Sequence, residues 1–597
     1  MLLFLLPVGL CSPLCFVGGG KGKVQNNTIL ELDLEQPVTE ALSSTSLLSG
    51  ASPLSSRDIV FALERAAKDD AVKGLFVRVG GAGHGLATAQ EVRDALVAFK
   101  ASGKPSLAYA ESFGELSPGT GGYFIASALD EIVLVPTGNV SLAPLAAEGV
   151  FARDGLSKLG VEPQFAARKE YKNAPNTFLE QGFTAPHKEA TLALLSSVQR
   201  QLAAGIAAGR PALGDAAAVE GLLLGGPYND QAALGAKLVD RVGYRDEALA
   251  GLRSRVREKF ALPAPTPASD AEKKDSDLPL LWLSKYLERA GSPYGDDVDG
   301  AVIAQVTGVG QIMRGTSNSD PFSGSSTIGS DTLAAALRAA VDDADVKAIL
   351  LRVDSPGGSV VASELIAHEV ERARAAKKPV IVSMANVAGS GGYYISMNAD
   401  AIVAQPGTIT GSIGVYAGKF VTTKAWEQLG ISYETVTIGD SDSSFFSTDL
   451  PYSESARAKL DAMVDGIYQT FVQKVATGRK RSFAEIEPVA RGRIWSGQDG
   501  KDRGLVDVLG GYPVALGLVR EKLGLAKDAP LTVRDFPKAK TPAQELMGLF
   551  GPSRGENSDD GAASTTRPTA QAVAQALRAA MASEPAVVLM PPLSLLP

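Results

Sequence analysis

Cysteine is nearly absent: among 597 residues only Cys11 and Cys15 carry thiols, both in the first stretch. The body of the chain therefore has neither disulfides nor thiolate metal sites. Histidine is almost as scarce, with His84, His187 and His368 scattered along the chain, so a catalytic metal is not expected. No basic block occurs and the net charge is -8, which argues against nucleic acid as a partner. Phosphate cradles are missing too: there is no G-x-x-x-x-G-K-[ST], and no G-x-G-x-x-G opens a helix.

Apolar residues make up 45% of the chain, enough to bury large cores in several domain-sized units. The opening run MLLFLLPVGLCSPLCFVGGG (1–20) carries no charge and reads as a signal h-region or a short membrane anchor, of which the anchor is the expectation. Lys21 and Lys23 follow it, on the side that disfavours sending the body outward.

The sequence says the same thing twice. VKGLFVRVGGAGHGLATAQEVRDALVAFKASGKPSLAY (72–109) runs parallel to VKAILLRVDSPGGSVVASELIAHEVERARAAKKPVIVS (346–383), GGYFIASALDEIV (121–133) mirrors GGYYISMNADAIV (391–403), and AKLVD (236–240) answers RGLVD (503–507). The repeats are expected over 28–258 and 299–527, joined by a Pro-, Ala- and charge-rich linker over 259–298. A tail over 528–597 is expected to be partly disordered, with QAVAQALRAAMA as a short helix. Within each half, short apolar runs such as AILLRV and PVIVSM alternate with helix-forming stretches such as SELIAHEVERARAAKK. Strand, glycine turn, helix, strand is a right-handed crossover, so the expected fold class is α/β with parallel sheets.

Two motifs invite chemistry. RVDSPGGSV (352–360) places Pro and two glycines where a strand hands over to a helix; such a turn leaves the N–H groups of Gly357 and Gly358 free to hold an oxyanion. Alone, SPGG is a tight turn and nothing more. NVAGSGGYYI (386–395) sets Ser390 among Gly389, Gly391 and Gly392, a setting expected to open its hydroxyl to solvent and substrate. It is not the G-x-S-x-G elbow, because position 388 is alanine. None of the three histidines offers itself as a base: His368 lies mid-helix, and His84 and His187 read as structural.

Comparing the halves suggests where the base lies. Where the second half has Ser390 before GGY, the first has Thr120, and where the second has DSPGG the first has GGAGH. Further on, GVEPQFAARKEYKNAPNTF (160–178) parallels GISYETVTIGDSDSSFFST (430–448), and Lys172 stands against Asp442, since 442 − 172 = 270. One copy keeps a lysine and the other a serine with its glycine turn, a pattern that points to one site assembled from both. A lysine with reference pKa about 10.4 must fall to roughly 7 to 8 to serve as a base, a cost of about 3 to 5 kcal/mol met by desolvation. By itself Lys172 would pass for a solvated loop residue.

With RVDSPGGSV, AGSGGYYIS, QPGTITGSIGV (405–415), EYKNAPNTF and RIWSGQDGKDRGLVD (493–507) together, the chain resembles the signal peptide peptidase A family, also called protease IV, in its long tandem form. The resemblance spans nearly all of residues 28–527. It implies a tandem duplication of a crotonase/Clp-protease-like domain, with Ser390 as nucleophile, Lys172 as general base, Ser412 as the hydroxyl that orients the lysine amine, and Gly357 and Gly358 as the oxyanion turn. It further implies no cofactor, cleaved signal peptides and other apolar peptides as substrates, a homotetramer, and anchorage in the bacterial inner membrane with the catalytic part facing the periplasm. Two other readings stand beside it: a crotonase-like acyl-CoA hydratase or isomerase, which would respond to acyl-CoA, and a non-catalytic membrane scaffold, which would leave Ser390 unreactive to serine probes.

Overall fold

The computed structural model describes residues 22–40, 54–81, 83–263, 278–319, 326–438, 442–537, 586–589 and 594–596. The apolar run 1–20, the segment 551–569 and the helix expected in QAVAQALRAAMA lie outside these residues.

Each half builds a parallel sheet from the apolar runs. In the first half the strand order is Leu280–Trp282, Thr28–Asp33, Val72–Arg78, Ser106–Ala110, Glu131–Leu134 and Arg241–Val242, all parallel. In the second it is Ile494–Ser496, Ile409–Gly411, Val380–Gly389, Val346–Ser355, Ala301–Val309 and Leu531–Phe536, with Ala401–Ala404 branching from Val380–Gly389 to reach Val508–Leu509. Ile494–Ser496 is the antiparallel member. Central strands such as VKAILLRVDS are buried on both faces, which is why they read as continuous apolar runs rather than alternating ones. Helices return the chain between strands, as Leu86–Lys100 does in the first half and Val360–Ala375 in the second. The Ser359 side chain caps the latter by accepting the Ala362 N–H.

Both sheets run past the repeat boundaries expected from sequence. Leu280–Trp282 and the helix Leu283–Ala290 lie inside the expected linker, yet the strand pairs with Thr28–Asp33. Leu531–Phe536 lies inside the expected tail, yet pairs with Ala301–Val309 in the same way. Each repeat thus closes with one further edge strand beside its first, and those short strands carried too little periodicity to stand out from linker composition.

The halves are not separate beads. One apolar core takes in Leu30, Leu75 and Phe99 from the first half with Leu350, Ile381 and Tyr512 from the second. Where they meet, Glu162–Arg168 pairs antiparallel with Val415–Val421 through seven residues, from Glu162 opposite Val421 to Arg168 opposite Val415. Arg352 crosses the same interface. Its guanidinium donates to Glu40 Oε1 and Oε2 at 2.8 Å each, to Glu91 Oε2 at 2.6 Å and to Ser383 Oγ at 2.8 Å.

Candidate active site

The ladder between the halves sets up the site. Glu162–Arg168 is held at its end by Arg168, which donates to Asp465 Oδ1 at 2.6 Å and Asp461 Oδ1 at 3.0 Å. The chain then turns: Lys172 N–H donates to Lys169 O at 3.0 Å, and Tyr171 N–H to Arg491 O at 3.2 Å. Behind Lys172 the backbone comes so close at Gly492 that a Cβ there would sit 2.5 Å from Lys172 N, and Gly492 has φ +80°. Only glycine fits that position. The turn aims the Lys172 side chain inward, where it is 2% exposed.

On the other side, Val380–Gly389 ends at Ser390. This residue has φ +56° and ψ -113°, outside the ordinary regions for a residue with a Cβ. Two hydrogen bonds hold it there: Ser390 N–H donates to Gly411 O at 2.8 Å, and Tyr394 N–H donates to Ser390 O at 2.8 Å. Ser412 is also at positive φ, +50°, with its N–H donating to Arg493 O at 2.7 Å.

These placements bring three side chains together. Lys172 Nζ lies 2.7 Å from Ser390 Oγ, 3.1 Å from Ser412 Oγ and 3.1 Å from Ser412 O. The amine is entirely buried, and this desolvation alone holds its pKa well below the usual lysine range. A neutral amine has two N–H groups and one lone pair. With the N–H groups directed to Ser412 O and Oγ, the lone pair is left for the Ser390 hydroxyl proton.

The glycine turn packs directly against this group. A Cβ at Gly391 would lie 3.0 Å from Gly357 Cα and 3.0 Å from Gly358 N. Gly357 has φ +105°, and a Cβ at Gly358 would meet Ile312 O at 1.9 Å. Gly357 N–H donates to Ser355 Oγ at 3.2 Å, so this N–H is already engaged, against the free donor expected from the glycine turn. Ser390 is 0% exposed, against the open hydroxyl expected from its glycine-rich setting. The glycines serve close backbone approach instead: Gly391 lets the turn come in, and a Cβ at Gly392 would lie 2.6 Å from Ser355 O.

The histidines lie in other surroundings. His84 bridges Val38 N–H and Leu34 O, His187 packs against Phe151 and Phe183 with its pKa pushed by burial to about 4, and His368 is exposed. Among the described residues, no group of three His, Cys, Asp or Glu side chains is placed to hold a metal ion. Asp442, opposite Lys172 in the repeat comparison, caps a short turn by accepting Ser444 N–H at 3.0 Å.

Sequence reasoning passed over the support behind the turn. Asp354, the first residue of DSPGG, accepts Val387 N–H at 2.9 Å, so the turn is tied to the strand that carries Ser390. Burial first, and the nearby Glu40 charge second, raise its carboxyl pKa to about 6. Asn386 reaches across to the first half, accepting Thr88 N–H at 3.0 Å and donating to Thr88 Oγ1 at 2.8 Å. Their signal was position alone, Asp354 abutting the turn and Asn386 four residues before Ser390.

The sequence comparisons define the class: the protein is a serine peptidase. The family model "Peptidase family S49" matches residues 98–258 and 372–526, one segment in each half, and the chain belongs to that family. The chain is 30% identical to Protease 4 of Haemophilus influenzae over 485 residues, covering 81% of this chain and 75% of that protein. It is 27% identical over 535 residues to the chloroplastic serine protease SPPA of Arabidopsis thaliana, covering 89% and 74%. Protease 4 of Salmonella typhi is 30% identical over 78% of this chain and 71% of its own length. Among solved structures, a variant of the 1510-N membrane-bound stomatin-specific protease is 15% identical with TM-score 0.25, over 40% of this chain and 99% of its own. A variant of ClpP1 from Listeria monocytogenes is 14% identical with TM-score 0.23, over 36% and 94%.

Proposed function

We propose that the chain is an endopeptidase that cleaves apolar peptides, cleaved signal peptides among them, with Ser390 as nucleophile and Lys172 as its base. The observation that carries this reading is the 2.7 Å approach of a fully buried lysine amine to a serine hydroxyl contributed by the other repeat. As Ser390 Oγ bonds to the peptide carbonyl carbon, its proton passes to the Lys172 amine. The carbonyl oxygen takes the negative charge and is held by the N–H of Gly358 and by that of Gly357, which leaves Ser355 Oγ to reach it. Collapse breaks the C–N bond, and the Lys172 ammonium gives its proton to the departing amine, leaving an acyl-Ser390 ester. Water then gives a proton to Lys172 and attacks the ester; the second collapse returns that proton to Ser390 and frees the acid. Ser412 orients the amine through both stages.

Membrane attachment, a homotetramer and placement of the catalytic part in the periplasm belong to the same proposal and rest on the family resemblance. Among the described residues no helix is long and apolar enough to cross a membrane. The test is hydrolysis of an apolar fluorogenic peptide: Lys172→Ala and Ser390→Ala should each lower kcat by at least about a thousandfold with unchanged circular dichroism. Activity retained in either purified variant would remove the assignment.

A further inference from the structure

Residues Ala586–Leu589, from the C-terminal part of the chain, form a strand between Gly357–Ser359 and Val415–Val421. It runs antiparallel to both. Leu589 lies opposite Gly357, Val588 opposite Gly358 and Val587 opposite Ser359; on the other edge Val587 faces Tyr416 and Ala586 faces Ala417. Without these four residues the two flanking strands would face each other about 10 Å apart, twice the normal strand spacing. Such a one-strand slot presents unpaired N–H and C=O groups on both sides, and an extended peptide fills it by strand addition.

Both walls of the slot belong to the site. One is the glycine turn packed against Gly391, and the other begins three residues after Ser412 and pairs with the strand leading to Lys172. With the segment in place, Gly357, Gly358, Ser359 and Ser390 are all buried.

A second contact repeats the first. Ser594–Leu596 pairs antiparallel with Ala146–Glu148, with Leu596 opposite Ala146 and Leu595 opposite Ala147. At the repeat offset, 416 − 146 = 270, Ala146 and Ala147 are the first-half counterparts of Tyr416 and Ala417. The C-terminal part therefore lays one strand along the equivalent edge of each repeat. In sequence the two strands are separated by Pro591 and Pro592, which have no N–H to give to a ladder.

From these pairings we infer that Ala586–Leu589 is a substrate-like strand held in cis, which competes with peptides for the slot beside Ser390. The inference rests on the proposed peptide-cleaving role of that site. The sequence AVVL is apolar and rich in β-branched residues, the class of peptide the slot is proposed to take. A tethered competitor at an effective concentration of about a millimolar raises the apparent KM while leaving kcat of the substrate-filled enzyme unchanged.

Three forms of the chain test this: full length, a variant ending at Pro537, and full-length Val588→Pro, which takes one backbone N–H out of the strand at the position opposite Gly358. The two altered forms should show KM lowered about three- to tenfold at unchanged kcat, and the free peptide EPAVVLMPP should inhibit the shortened form competitively. The same forms carrying Ser390→Ala are titrated with a fluorescent apolar peptide, followed by anisotropy; the altered forms should bind it tighter by the same factor. Tighter binding without activity in any form with Ser390 intact would sink the catalytic reading and leave this one standing. Equal KM and equal affinity in all three forms would overturn the inference, as would an EPAVVLMPP peptide that fails to compete.

Discussion

Lys172 lies 2.7 Å from Ser390 Oγ and is sealed from water, bonded to Ser390 and Ser412 rather than to a carboxylate. An amine in such a place is useful only when neutral, and its neutrality has a measurable cost. Burial lowers the folded pKa, while the unfolded chain has lysine at about 10.4. Between those two values the unfolded state binds more protons, so stability rises with pH across that window. Below it the penalty is fully present, and above about 10.4 it is gone. Lys172→Met keeps the volume and removes the penalty. It should raise the melting temperature at pH 7, with the gain shrinking as pH approaches 10, while peptide hydrolysis is lost. A melting temperature that falls at pH 7 would mean that the amine is charged and satisfied in the folded state.

At the scale of elements, the strand-turn-helix units were legible because apolar runs alternate with glycine turns and helix-forming stretches. The glycine turn and Ser390 stand out instead by their Gly-rich setting and by the contrast with GGAGH and Thr120 in the first copy. Lys172 was visible only through divergence between the two copies, since nothing in EYKNAP marks it for burial. The Arg352 cluster was not legible at all: a charged residue inside a strand breaks the apolar pattern, and its partners Glu40 and Glu91 lie far away in sequence. The strand Ala586–Leu589 escaped for a related reason, because its pairing partners are remote and its neighbourhood has the composition of a tail. Arg352 and its two carboxylate partners are 1 to 2% exposed. Arg352→Met leaves those carboxylates buried without a cation and should cost about 3 to 5 kcal/mol in urea unfolding, part of which Glu91→Gln on the same chain restores. A loss under about 1 kcal/mol would show that water reaches the cluster.

Over the whole molecule, the duplication makes neither copy sufficient. The first half carries the lysine and lacks the serine and its turn; the second carries both of these and lacks the lysine. Among the contacts that bind the halves are the seven-residue ladder, the shared apolar core and the Arg352 cluster, and none of these includes residues of the connection 264–277. A specific protease site introduced in that stretch and cut after folding should give two fragments that co-elute in gel filtration and keep peptide hydrolysis within about twofold of the uncut protein. Fragments that separate and lose activity would show that the connection itself holds the site together.

The central claim is that a neutral lysine in the first repeat activates the serine in the second. Its most direct measurement is the rate at which a serine-directed fluorophosphonate labels Ser390 as a function of pH, in the unaltered chain and in Lys172→Ala. The account predicts a rate that climbs with pH to a plateau below the ordinary lysine range, and no labelling above background in the variant. Labelling of equal rate and equal pH profile in both proteins would contradict it.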